Sequence, residues 1–170
     1  MIKIIDGDLL TSGADIICHQ VNCQGKMNSG VAKQIREKYP EVFRVYKNFV
    51  NDVTQLCGSY ELLGLCCCVP INNPKGDFVN YVANLFGQYS YGYDGNQYTD
   101  INALRESLLV LKDFIPTVAE IKGTSNSEVK IAFPWMMSCC RGGADWNEVY
   151  AMIDDIFKDY NIEFWRLDKE

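Results

Sequence analysis

The sequence predicts an α/β fold of three layers, with helices on both faces of a mixed central sheet of about six strands. Three observations point to it. Short apolar runs alternate with amphipathic stretches along the chain. Two of the apolar runs feed directly into polar, glycine-containing loops that lead to helix starts, the connection typical of parallel strands. One further pair of runs is separated only by Asn72-Asn73-Pro74-Lys75-Gly76-Asp77, a turn cluster that reads as a hairpin.

The strand-like runs are Ile2–Ile5, Ile16–Val21, Leu65–Val69, Val79–Leu85, Val129–Phe133 and Ile162–Leu167. Between the second and third, Val31, Ile35, Tyr39, Val42, Val45, Tyr46 and Phe49 recur mostly at three or four residues and mark a helix over Val31–Val50. Pro40 lies inside that stretch, where its missing N–H breaks or kinks a helix, so two helices fit as well as one. Tyr89–Tyr98 is rich in Tyr, Gly and Asn and reads as a surface loop. Thr99-Asp100 caps a helix from Ile101 to Phe114, with Leu104, Leu108 and Leu111 on its apolar face. Thr124–Glu128 and Trp135–Ala144 read as loops, and Asp145 or Trp146 opens a last helix to Asp159.

At 170 residues, without linker, repeat or low-complexity tract, the chain reads as a single domain over 1–170. A net charge of −6 supplies no basic stripe and argues against general nucleic-acid binding. No apolar run reaches membrane-spanning length, and MIKIIDGD shows no signal-peptide pattern, so no membrane association is expected. The eight cysteines contain no CxxC pair and accompany one histidine, too few for the common zinc patterns. They read as reduced core thiols of a cytoplasmic protein, and neither metal nor cofactor is expected.

Residues 15–32, DIICHQVNCQGKMNSGVA, carry the most chemistry. A buried strand passes through a loop at 22–30 into a helix N-terminus. There the loop amides and first-turn amides add to the helix dipole and form an anion site. His19 stands at the strand end. This combination points to a small phosphate-bearing ligand with one titratable group beside it. The loop at 135–144 also follows a strand, so both loops can line one cleft beyond the carboxyl ends of the sheet.

Five segments, in order, resemble those of macrodomains, the ADP-ribose-binding α/β/α modules. They are Gly7-Asp8-Leu9, Val21-Asn22-Cys23-Gln24-Gly25, Met27-Asn28-Ser29-Gly30-Val31-Ala32, Ala83-Asn84-Leu85-Phe86-Gly87-Gln88, and Phe133-Pro134 leading to Gly142-Gly143-Ala144-Asp145-Trp146. The resemblance covers essentially the whole chain and is strongest to small stand-alone members, among them ADP-ribose-1''-phosphate phosphatases and ADP-ribosyl hydrolases. It implies that Asp8, beside Leu9, accepts from the adenine amino group. Asn22, Lys26, Met27, Ser29, Gly30 and Val31 would then meet the distal ribose, at least one of Phe86, Tyr89, Tyr91 and Tyr93 would cover the ligand, and Ser138, Cys139, Cys140, Arg141 and Gly142 would meet the diphosphate. The implied partner is ADP-ribose, a derivative of it, or an ADP-ribosylated macromolecule.

Two departures from the family pattern bear on function. Met136, Ser138 and Cys140 stand where relatives have glycine, so either the loop takes another shape or the ligand differs from plain ADP-ribose. Arg141 offers a charge-assisted phosphate contact in compensation. Hydrolase members use a lysine after the strand ending Asn84-Leu85-Phe86 and an aspartate where this chain has Gly142; here Gly87-Gln88 follows that strand. His19 matches a histidine of the phosphatase-like members and is the candidate acid or base.

Overall fold

The computed structural model describes residues 2–72 and 79–167. Six strands form one sheet: β1 (Ile2–Asp6), β2 (Ile16–Val21), β3 (Cys66–Asn72), β4 (Val79–Phe86), β5 (Lys130–Pro134) and β6 (Asn161–Arg166). Their spatial order is β1-β6-β5-β2-β4-β3. All neighbours are parallel except β3, which runs antiparallel to β4 at one edge with Cys67 opposite Asn84. The sheet is therefore mixed, and the β3–β4 pairing agrees with the hairpin reading. The turn cluster itself, from Asn73 onward, lies outside the described residues.

Alternation along each strand sends side chains to two faces. Ile16, Cys18, Ala83, Leu85, Ile131, Phe133, Ile162 and Phe164 pack under α3 (Ile101–Lys122) and α4 (Trp146–Ile156). Ile17, Val21, Val82, Phe86 and Ala132 pack under α1 (Gly30–Lys38) and α2 (Pro40–Cys57). Two buried cores back to back across one sheet make the expected three layers.

Pro40 starts α2 rather than kinking a longer helix, because the first helical position has no intrahelical use for its N–H. The expected end of α3 at Phe114 is corrected: the helix continues through Pro116 to Lys122. Ile115, Val118 and Ala119 extend its buried stripe, and that burial outweighs the hydrogen bond lost at proline. The last helix is shorter than read, ending at Ile156, with Phe157 turned into the core. Asp100 and Asp145 cap α3 and α4 by accepting from the amides of Ala103 and Asn147.

Candidate functional site

Because β2 and β5 are parallel neighbours, their carboxyl ends share one rim, and the loops at 22–30 and 135–144 leave from it together. Between them lies a cleft of about 290 Å³. Of the residues expected to meet a ligand, it is lined by His19, Asn22, Lys26, Ser29, Gly30, Val31, Ser138, Cys140, Arg141 and Gly142.

Two segments that line this cleft carry backbone amides without partners among the described residues. Ser29 occupies the N-cap of α1 in extended conformation, and its hydroxyl makes no capping bond. Gly30 follows at φ 60°, a left-handed value that glycine adopts without strain. Across the cleft, the amides of Ser138, Cys140, Arg141 and Gly142 donate to no group among the described residues, while Cys139 N is spent on Met136 O and Ala144 N on Ser138 O. A run of unspent loop amides opposite a helix N-terminus is a site for an anion that needs no lysine.

Met136 and Ser138, at two of the three glycine-replaced positions, hold left-handed backbone with φ of 62° and 73°. The loop thus keeps a glycine-like path there at a cost of roughly 1–2 kcal/mol per residue. Gly142 remains glycine because a Cβ would collide with the Thr99 hydroxyl and the Ser138 carbonyl. Arg141 lays its guanidinium 4.7 Å from the centre of the Tyr93 ring, so the loop 89–98 and the loop 135–144 meet at the cleft.

His19 is 2% exposed, and its Nε2 lies 2.6 Å from Asn84 Oδ1. Asn84 donates its own Nδ2 to Cys67 O at 3.0 Å, which makes Oδ1 the acceptor and His19 Nε2 the protonated nitrogen. His19 Nδ1 therefore carries a lone pair, and it has no partner. Burial lowers the imidazole pKa to about 4, with the Asn84 hydrogen bond opposing in part. At neutral pH His19 is uncharged and an acceptor.

The sign of the resulting pH dependence follows. Unfolded, the imidazole binds its proton near pH 6.5; folded, only near pH 4. Between these values the unfolded state holds more protons, so stability falls as pH drops, by about 3 kcal/mol over the full window and not at all above it. Urea unfolding from pH 7 to 4.5 is expected to show a steeper loss for the native chain than for His19→Gln. Equal slopes would place the His19 pKa near its ordinary value.

The structure buries some of the residues expected to meet a ligand and gives others partners within the protein. Leu9 and Met27 are core residues, 5% and 0% exposed, because the turn after β1 and the first loop fold inward there. Phe86 is fully buried against Tyr46 and Phe49, with ring centres 5.8 and 5.7 Å away, since alternation on β4 turns it under α2. Cys139 points back into its own loop and donates to Met137 O, and burial pushes its thiol up to about 12. Cys23, likewise up to about 12, donates to Gln88 O, so neither thiol is an activated nucleophile. Asn22 lines the cleft, but its Oδ1 accepts from Gln24 N and Tyr46 Oη and its Nδ2 donates to Lys26 O, so it chiefly shapes the loop. Asp8 is exposed, lies outside the cleft lining, and accepts from Leu10 N at 3.0 Å.

Sequence reasoning passed over Gln20, Asn84, Gln88 and Thr99 as site residues. Their signal was present as polar residues within otherwise apolar strands or at strand ends, which a buried sheet tolerates only when they are partnered. Among the described residues no cluster of three or more potential ligands could hold a metal ion, and no helix is long and apolar enough to cross a membrane.

No model of a known protein family matches the chain. A protein of Debaryomyces hansenii named ADP-ribose 1''-phosphate phosphatase is 30% identical over 151 residues, 79% of this chain and 82% of the relative. One of the same name from Scheffersomyces stipitis is 27% identical over 96% of this chain and 97% of its own. Among solved structures, the macrodomain of Mycobacterium tuberculosis DarG superposes with a TM-score of 0.75 at 21% identity, covering 97% of each chain. Thermosipho africanus DarTG in complex with ADP-ribose gives 0.70 at 15% identity, covering 99% of this chain and 43% of that one. In sequence and in fold, this chain belongs to the macrodomain family.

Proposed function

We propose that the chain binds ADP-ribose or a close derivative, with the diphosphate and distal ribose between the loops 22–30 and 135–144 and the adenine toward Asp8. The observation that carries this reading is the pair of unspent amide sets on one cleft, at the N-terminus of α1 and at Ser138, Cys140, Arg141 and Gly142. The Asp8 carboxylate, although it accepts from Leu10 N, keeps a second oxygen for an exocyclic amine. Relatives named for ADP-ribose 1''-phosphate and a neighbour solved with ADP-ribose support the choice of ligand. Eight free thiols suit a reducing compartment, in keeping with a cytoplasmic location. An ADP-ribosyl group on a macromolecule would present the same chemistry to the cleft.

A second reading, hydrolysis of a terminal phosphate or ADP-ribosyl group, is favoured by one observation: His19 is neutral, held in one tautomer by Asn84, and carries an unpartnered Nδ1. That nitrogen can take a proton from an attacking water. An anionic ligand alongside favours the imidazolium and so raises the depressed pKa toward the working range. Isothermal calorimetry with ADP-ribose and its 1''-phosphate, alongside a phosphate-release assay, tests both readings. Saturable one-site binding of ADP-ribose is expected. No heat at millimolar ligand would overturn the binding reading, and binding without phosphate release would remove the phosphatase.

A further inference from the structure

We infer that Gln20 is a positioning residue that holds the phosphate-facing loop in its left-handed path and joins it to the loop leading into α3. This rests on the binding reading above. Ser138, at φ 73° without being glycine, donates its hydroxyl to Gln20 Oε1 at 2.7 Å. Gln20 Nε2 donates to Gln88 Oε1 at 2.7 Å and to Thr99 Oγ1 at 2.9 Å, which spends both its hydrogens. Thr99 passes its own hydroxyl hydrogen to Ser138 O at 3.0 Å, and Gln88 Nε2 donates to Ser90 O, which orients that amide in turn.

Every donor and acceptor in this circuit has one consistent assignment, so the Gln20 amide has one orientation. Two backbone bonds close the same ring: Tyr98 N and Thr99 N both donate to Gly142 O, at 2.8 and 2.9 Å. Gly87 makes room for it, since a Cβ there would overlap the Gln20 amide. Strand alternation places Gln20 on the α3 face of β2, opposite to His19, so it steers the loop without touching the histidine's partners.

The clasp explains how this chain tolerates serine where relatives have glycine. Glycine takes the left-handed conformation unaided, whereas serine here is held to it through its own hydroxyl. The amides of Ser138, Cys140, Arg141 and Gly142 are then held in place before a ligand arrives, which lowers the ordering cost of binding.

A double-mutant cycle in the full chain tests this with ADP-ribose as the probe. Gln20→Met, close in shape but without polar atoms, is expected to weaken ADP-ribose about tenfold with little change in melting temperature. Ser138→Ala, which cannot disturb the sheet, should weaken it similarly. In a Ser138→Gly background, Gln20→Met should cost less than about threefold. Gln20→Glu keeps an acceptor for Ser138 but sets a carboxylate oxygen against the Gln88 and Thr99 acceptors, so it should recover none of the affinity.

Hydrogen exchange over 135–144 in the ligand-free protein should rise in Gln20→Met and Ser138→Ala while β2 and β5 stay protected. Additive effects in the cycle, or unchanged exchange in the loop, would overturn the assignment. If native protein does not bind ADP-ribose, the functional reading fails, and the ligand-free exchange still decides the clasp.

Discussion

On the phosphatase reading, replacing His19 by alanine is expected to reduce phosphate release from ADP-ribose 1''-phosphate by about 100- to 10,000-fold, the usual contribution of a positioned base. Affinity for ADP-ribose should change far less. Its Nε2 is committed to Asn84, so only Nδ1 can take a proton from water, and removing the ring removes the one unpartnered buried side-chain nitrogen among the described residues. Steady-state kinetics and calorimetry on the same preparation separate the two effects. Loss of affinity parallel to loss of turnover would make His19 a binding residue. Turnover in His19→Ala near the native rate would move the chemistry elsewhere in the cleft.

Phe86→Ala should cost about 3–5 kcal/mol of stability, the range for truncating a fully buried aromatic ring. For a chain of this size that is a fall in melting temperature on the order of 10 °C. Phe86 fills the space between β4 and α2 and stacks on Tyr46, whose hydroxyl donates to Asn22 O at 2.7 Å. The cavity thus opens directly beneath the first loop, and any change in ligand affinity is secondary to it. Urea unfolding distinguishes the two roles: a stability loss below about 1 kcal/mol with a marked loss of affinity would return Phe86 to the ligand.

These two residues show what local sequence does and does not reveal about a side chain's place. His19 stands out in sequence because it is the lone histidine, near the end of an apolar strand before a polar loop, and the structure places it in the cleft lining. Phe86 is misread because one residue decides which face of β4 a side chain takes, and a motif position does not reveal that parity. Pro40 and Pro116 make the same contrast among helices. Proline at a first position agrees with local rules, whereas Pro116 is carried inside α3 by the buried Ile115, Val118 and Ala119 around it. In the loop at 135–144, the sequence raised the alternatives of a new shape or a new ligand. The backbone answers for Met136 and Ser138, which keep left-handed values.

What the sequence determined by itself was what depends on periodicity and local chemistry: six strands, their alternation with helices, the caps at Asp100 and Asp145, and the two loops that follow β2 and β5. Only the tertiary structure decided which polar side chains are partnered. Asn84 fixes the tautomer of His19 from 65 residues away, and Gln20 holds Ser138 from 118 residues away. Such bonds depend on strand order and register, which bring distant residues onto one face. No local pattern encodes them, because a glutamine or asparagine in a strand reads the same whether it meets a partner or solvent.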